Sequence, residues 1–194
     1  MARESSEQRW GFLIDLRRCI GCHSCTVACK AENGVPLGVF RCWVKEVEVG
    51  RYPRVRRTFL PQLCNNCEQP PCVDVCPVGA TWKRPDGIVV VNPHTCIACR
   101  CCIGACPYGV RYLHPHKEIV EKCNWCVQRI ERDLRPACVE ACPAGARIFG
   151  DLNDPDSEIS RLLSLNPIQG LKAGLGTRPR TYYIGLDNRL TEDE

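Results

Sequence analysis

The sequence predicts an α+β fold built on a fourfold cysteine repeat, with a β-hairpin insertion and a C-terminal tail. Three observations predict it. Of eighteen cysteines in 194 residues, sixteen fall into four segments that share one spacing rule. A stretch rich in β formers, with Gly50-Arg51-Tyr52-Pro53 in its middle, separates the first segment from the second. Beyond Asp151 there are no cysteines. The length suits one domain or two small ones.

Residues 1–63 carry the first cysteine segment and the hairpin. Residues 10–16 (WGFLIDL) read as a strand entering CIGCHSCTVACK, which holds Cys19, Cys22, Cys25 and Cys29. A short helix over 26–32 carries Cys29. Residues 39–49 (VFRCWVKEVEV) and 55–60 read as two strands closed by the Gly-Arg-Tyr-Pro turn. Cys42 lies in this hairpin and is read as a buried thiol.

Residues 64–114 carry the second and third cysteine segments. Their first half, CNNCEQPPCVDVCP, holds Cys64, Cys67, Cys72 and Cys76; their second, CIACRCCIGACP, holds five cysteines. Short strands over 88–91 and 110–113 flank the second half. Residues 115–150 carry CNWCVQRIERDLRPACVEACP, with Cys123, Cys126, Cys138 and Cys142. Val127, Ile130 and Leu134 stand at helical spacing, so a helix over 127–134 fills the long gap as packing. Residues 151–194 form the tail. Asp154 is placed to cap a helix with Pro155 at its first position and Ile159, Leu162 and Leu163 on one face. GTRPRTYYIGL then leads into a short strand. The tail either clamps the core or docks a partner; packing is the favoured reading, because so many ligands in so small a fold need covering.

The spacing rule settles which cysteines belong together. Each segment begins with C-x2-C and ends with C-x3-C, and the middle gap is two, four and eleven residues in the first, second and fourth. Pro77, Pro107 and Pro143 follow the last cysteine of the later segments, while Lys30 takes that place in the first. Cys96, Cys99, Cys102 and Cys106 reproduce the rule. Using Cys101 would force a C-x-C spacing found nowhere else, so Cys101 and Cys42 stand outside the sets.

A [4Fe–4S] cluster needs four thiolates at tetrahedral corners. A C-x2-C-x2-C loop wraps three around one cluster, and the helix that follows carries the fourth away to the other cluster of a pair, as in two-cluster bacterial ferredoxins. The trailing proline fixes the chain direction and removes an amide donor. Rival chemistries fit less well. A disulfide scaffold calls for export, yet MARESSEQRWGFLIDLRRC has no apolar signal core or cleavage site. Arg17-Arg18 looks like a twin-arginine pair but is followed by cysteines, and thiols without an export signal serve metals or catalysis. Zinc ribbons use C-x2-C pairs but not three-plus-one runs with trailing proline. Cys19-Ile20-Gly21-Cys22-His23 matches the haem-attachment signature C-x-x-C-H. Both cysteines already belong to the repeat, and Glu68, Arg100 and Val127 stand at the equivalent place in the other segments. His23 is read as a polar loop residue near a cluster, tuning it by hydrogen bonding.

The formal charge is +4 with every cysteine neutral. Sixteen thiolates around four cores of about +2 each would add about −8, giving a loaded protein near −4. Arg51, Arg54, Arg56 and Arg57 form the densest basic cluster and read as a solvated strand face, so no nucleic-acid partner is expected. No apolar run approaches the roughly 18 residues of a membrane helix. There is no Ser–His–Asp pattern, phosphate loop or dinucleotide fingerprint. Clusters with four cysteines each have no open coordination position, which points to one-electron transfer and to no catalytic residue. Glu68, Asp74 and Glu140 lie between ligands and read as setting surface charge and cluster potential.

The stretches IDLRRCIGCHSCTVACKAENGVPLGVF, LCNNCEQPPCVDVCPVGAT, DGIVVVNPHTCIACRCCIGACPYGVRYLHP, KCNWCVQRIERDLRPACVEACPAGARIFGDLNDPDS and GTRPRTYYI occur in that order. Together they resemble the four-cluster iron–sulfur electron-transfer subunits of the dimethyl-sulfoxide-reductase superfamily of molybdopterin oxidoreductases. Within it they are most similar to the electron-transfer subunits of the polysulfide, thiosulfate and tetrathionate reductases. Spacing alone fixes the sets of three; the resemblance supplies each fourth ligand. It implies two pseudo-symmetric bacterial-ferredoxin-like modules, interleaved in sequence, that pair the first segment with the fourth and the second with the third, the latter pair forming one module over residues 64–114. Cys19, Cys22 and Cys25 then share a cluster with Cys142, and Cys123, Cys126 and Cys138 share one with Cys29. Cys64, Cys67 and Cys72 go with Cys106, and Cys96, Cys99 and Cys102 with Cys76. Some relatives replace the cysteine matching Cys102 and hold a three-iron cluster. Its presence here implies four [4Fe–4S] clusters.

The resemblance also implies partners. These are a molybdenum or tungsten bis-pterin catalytic subunit and an integral membrane quinone-binding anchor, linked by electron transfer in anaerobic respiration. The first and fourth segments would face the catalytic subunit, and the cluster of the third segment the anchor. Lys30 either sets charge at the first pair or serves the catalytic-subunit interface; both readings stay open. The expected place is peripheral on the cytoplasmic membrane, either periplasmic by co-export with the catalytic subunit or cytoplasmic. Formate dehydrogenase and hydrogenase subunits share much of the pattern. A free polyferredoxin carrier is the other alternative, and the hairpin and tail weigh against it. The family often has glycine before the third cysteine of the fourth segment, and this chain offers Asp133 near that point. Asp visits the left-handed conformation more readily than most residues.

Overall fold

The computed structural model describes residues 8–187 and Leu190. Residues 1–7, part of the stretch read for an export signal, and the remainder of the tail lie outside the described residues. The first expected strand forms as β1 (Trp10–Asp15), and every residue after Trp10 is buried. Such a continuous apolar run suits a strand covered on both faces. The later strands β8 (Arg147–Asp151), β9 (Ile168–Gln169) and β10 (Thr181–Ile184) join it in a sheet of order β8-β1-β10-β9. Phe12 lies opposite Phe149 in the antiparallel β8 and opposite Thr181 in the parallel β10. The tail therefore builds the sheet instead of only covering it.

Helix α1 (Ser24–Asn33) follows β1 and outruns the expected 26–32. Lys30 stands where the other segments have proline, so the helix runs on until Gly34 turns left-handed at φ 56°. The hairpin forms from β2 (Cys42–Arg51) and β3 (Arg54–Leu63), with Arg51 opposite Arg54 across the turn. It starts three residues later than expected and runs three further. Cys42, Leu60 and Leu63 are buried at its base, whereas Tyr52 at the tip is 93% exposed.

Helix α2 (Pro71–Asp74) precedes a ladder of β4 (Thr81–Lys83) with β5 (Val89–Val91). Helix α3 (Cys101–Gly104) precedes a ladder of β6 (Arg111–Leu113) with β7 (Val120–Lys122). Strands β5 and β6 match the expected pieces less one residue each, while β4 and β7 had no clear signal. The fourth segment gives α4 (Val127–Ile130) and α5 (Ala137–Glu140). The expected helix over 127–134 stops at Ile130, and Leu134 is 46% exposed. Asp133 turns left-handed there, φ 57°, doing what glycine would.

In the tail, α6 (Glu158–Leu165) starts later than expected. Its cap is Ser157, whose Oγ accepts from the Ser160 amide at 3.2 Å. Asp154 instead accepts from the Asp156 amide at 3.0 Å, an Asx turn that holds Pro155 outside the helix. The expected face is right: Ile159 is fully buried against Leu13, Ile148 and Ile184, with Leu162 and Leu163 packed around it. The main core mixes Phe12, Trp125 and Tyr183 with Cys25, Cys29, Cys42, Cys64, Cys123 and Cys138. Among the described residues, no helix is long and apolar enough to cross a membrane.

Candidate iron–sulfur centres

All four cysteine loops share a backbone device. The residue before the second cysteine has positive φ in each: Gly21 68°, Asn66 40°, Ala98 55° and Trp125 55°. A left-handed residue costs a non-glycine side chain about 1–2 kcal/mol. It also turns successive amides inward, making a concavity suited to negative charge. At Gly21 a Cβ would run into the Phe59 ring, so only glycine fits.

The loops feed one-turn helices that carry the third cysteine: Cys72 on α2, Cys102 on α3 and Cys138 on α5. Each helix ends before Cys76, Cys106 or Cys142, the residues preceding the three prolines, because the residue before proline disfavours the helical region. Helix α1 packs on α5, and α2 on α3.

The sulfurs gather in sets. Cys19, Cys22, Cys25 and Cys142 wall one cavity, which His23 and Arg147 also line. Cys64, Cys67, Cys72 and Cys106 wall another, beside Tyr108 and Arg111. Cys29 lies with Cys126 and Cys138, and Asn33 Nδ2 reaches both Cys29 and Cys126 at 3.8 Å. Cys123 is close to the same three. Cys96 and Cys102 pack with Cys72, Val89 and Val120, and Cys99 is exposed beside Cys101. The amides of Thr81, Val78 and Ala80 outweigh burial and hold the Cys76 thiol below its ordinary value.

Among the described residues, no three His, Cys, Asp or Glu side chains converge closely enough for a single metal ion. Four thiols around one cavity suit a larger group. Burial pushes Cys29 and Cys67 up to about 12 and Cys138 to about 11, and drives Cys123 up as well. Such thiols ionise only around a positive centre. An all-thiol donor set in an apolar wall thus fits a [4Fe–4S] core.

Cys42 is 2% exposed, a buried thiol as expected. It hydrogen-bonds Cys25, which pulls the Cys25 thiol down and pushes Cys42 up. His23 bonds Glu46 Oε1 at 3.3 Å, so its observed hydrogen bond serves the hairpin instead of a sulfur. Lys30 Nζ donates to the carbonyls of Pro36 and Val39, both at 2.7 Å, and straps the loop after α1. Glu68 accepts from Lys83 at 2.7 Å, Glu140 pairs with Arg129, and Asp74 is exposed.

Sequence reasoning missed the buried cations. Arg111 Nη2 donates to Cys72 Sγ at 2.9 Å, and Arg147 Nη2 to Cys42 Sγ at 3.1 Å. Arg180, 1% exposed, lies over the Trp125 ring at 5.6 Å. A signal for two of them was present: Arg111 and Arg147 each close a Cys-Pro-x-Gly-x-Arg run.

Residues 55–152 match a 4Fe–4S dicluster domain and residues 10–31 a 4Fe–4S binding domain. The class of the molecule is thereby an iron–sulfur electron-transfer protein. The chain is 49% identical to a tetrathionate reductase subunit of Salmonella typhimurium, an alignment covering 95% of this chain and 75% of that protein. It is 42% identical to a sulfite dehydrogenase subunit of Allochromatium vinosum, covering 89% and 81%. To a selenate reductase subunit of Mesobacillus selenatarsenatis it is 38% identical, covering 92% and 73%. The chain belongs to the iron–sulfur electron-transfer subunits of the dimethyl-sulfoxide-reductase family, and is a subunit of an oxidoreductase complex, not an enzyme on its own.

Proposed function

We propose that this subunit holds four [4Fe–4S] clusters in two interleaved ferredoxin-like modules. They would conduct electrons between a molybdenum or tungsten bis-pterin catalytic subunit and an integral membrane quinone-binding anchor. The ligand sets are Cys19, Cys22, Cys25 and Cys142; Cys29, Cys123, Cys126 and Cys138; Cys64, Cys67, Cys72 and Cys106; and Cys76, Cys96, Cys99 and Cys102. The same reading divides the chain at residues 63, 114 and 150. The clusters supply one-electron redox chemistry with no open coordination position.

The observation that carries the proposal is the serial order of the thiols. Cys25 of the first set lies near Cys138 of the second. Cys123 of the second lies near Cys64 of the third. Cys72 of the third shares an apolar cluster with Cys102 and Cys96 of the last. The ends reach solvent at Cys22 and Cys99, while Cys123, Cys126, Cys138 and Cys29 in the interior are buried. A buried middle with exposed ends is the arrangement of a relay between two partners. Trp125 spans the central junction: its amide donates to Cys123 Sγ at 3.4 Å and its indole to the Cys64 carbonyl at 3.1 Å.

The relatives are named for different substrates, so we assign the choice of substrate to the catalytic subunit. The proposed place is peripheral on the cytoplasmic membrane. Purification of the native complex tests the reading. We expect copurification with a molybdenum- or tungsten-containing subunit and a membrane subunit, with iron for four clusters. A chain isolated alone that reduces the terminal acceptor, or one that is colourless and zinc-replete, would overturn it.

A further inference from the structure

Two arginines occupy matching places in the repeat. Cys106-Pro107-Tyr108-Gly109-Val110-Arg111 and Cys142-Pro143-Ala144-Gly145-Ala146-Arg147 share one spacing. Gly109 and Gly145 take the same left-handed turn, φ 60° and 57°, and the arginines open β6 and β8. Their exposures are 4% and 3%. Arginine is almost never this buried without a counter-charge. Among the described residues neither is ion-paired to a carboxylate; their close partners are sulfur, Cys72 for Arg111 and Cys42 for Arg147. Arg111 lies nearest Cys72, Cys64 and Cys102, and Arg147 nearest Cys42, Cys138 and Cys25. Each guanidinium thus stands among proposed ligands of both clusters of one module.

We propose that Arg111 and Arg147 are paired potential-setting residues, each a fixed positive charge shared by the two clusters of its own module. This rests on the ligand assignment above. An interior of low dielectric screens a charge poorly. Each added electron makes a cluster more negative, so a fixed cation beside its sulfurs favours the reduced state, and local charge and hydrogen bonds to sulfur are the established levers on cluster potential. The guanidinium stays charged throughout the working pH range. Thr81 holds Arg111 in place, accepting from Nη1 at 3.4 Å.

Redox titration of the cluster-loaded full chain, followed by EPR with iron counting, tests this. Arg111→Gln is expected to lower two of the four midpoint potentials and leave the other two. Arg147→Gln is expected to lower the complementary two. Unmoved potentials in a four-cluster variant overturn the proposal, and so does an even shift of all four. Where a Gln chain fails to assemble, the Met variant, neutral and of similar length, is measured; the same two potentials are expected to fall, and no shift overturns the proposal. The Lys variants keep the positive charge and are expected to hold those potentials close to the parent's, so a fall as large as that of the neutral variants overturns the assignment to charge. Fewer than four clusters in the parent chain would instead overturn the ligand assignment.

Discussion

In the proposed pairing of segments, the two halves of the cysteine core repeat one pattern and finish it differently. In the half built from the second and third segments, Arg111 meets Cys72 directly at 2.9 Å. In the half built from the first and fourth, the hairpin adds Cys42: Arg147 donates to Cys42 Sγ at 3.1 Å and lies close to Cys138 and Cys25 as well. The repeat fixes where the charge stands, while an insertion elsewhere in the chain gives one of the two arginines a further thiol outside the repeat.

The largest expected effect is loss of a cluster. Cys102→Ser and Cys25→Ser remove the same position of the repeat in the two halves. Each should lose one cluster or convert it to a three-iron form, whereas Cys101→Ser should keep all four; iron counts and EPR read the result. Retention of the cluster by Cys25→Ser alone would mean that neighbouring Cys42 replaces the lost ligand, a deeper difference between the halves. Loss of a cluster from Cys101→Ser would break the register of the third segment.

The seam between the halves comes next. Arg41 donates to Asn33 Oδ1 at 3.0 Å on one side and to Glu121 Oε2 at 2.7 Å on the other. Both ionic side chains are 13% exposed. Glu121→Gln should cost on the order of 3 kcal/mol, as a broken buried pair does. Burial raises the Glu121 carboxyl, but hydrogen bonds from Arg41 and Tyr112 outweigh it and hold it below its ordinary value. The pair's stabilisation is therefore complete above the unfolded value of about 4.3 and is lost as pH falls through the lower folded value. An acid-unfolding curve of Glu121→Gln that matches the parent would remove Arg41 as the seam.

Opposite signs are expected at equivalent loop positions. Gly21→Ala meets both the left-handed turn and Phe59 and should cost about 2 kcal/mol. Ala98→Gly, in the other half, relieves the turn and should gain less than about 1 kcal/mol, part of it offset by unfolded-state freedom. Thermal midpoints of the loaded chains check the pair; equal signs would show that the loops do not share their backbone device. The smallest effect is Ser157→Ala, about 1 kcal/mol from the lost cap of α6. A greater loss would mean that the tail supports its half of the core more strongly than one helix cap.

Much of this was legible because cysteine spacing is a local record of a local loop. The hairpin and the left-handed Asp133 follow from residues close in sequence, and the proposed register of the third segment rests on the same local reading. Arg111 and Arg147 escaped notice because arginine is ordinarily a surface residue, and their burial comes from partners brought in by the fold. The cap of α6 was misassigned because Asp154-Pro155 and Ser157 both carry starting signals. Ser157 prevails by bonding the Ser160 amide while its hydroxyl also reaches the Asp151 carbonyl at 2.8 Å. The sheet order escaped too: a parallel partner for β1 near the far end of the chain leaves no periodic trace in either strand.

That last pairing governs timing. Phe12 finds Thr181 across the sheet, and Asp15 finds Ile184. The strand leading into the first cysteine loop thus lacks one neighbour until residues 181–184 have been synthesised. Contacts of such long sequence separation are slow to form. The first cysteine loop therefore gains its full sheet support only once residue 184 has been made, and a ribosome stalled before that point would leave the loop without its parallel strand.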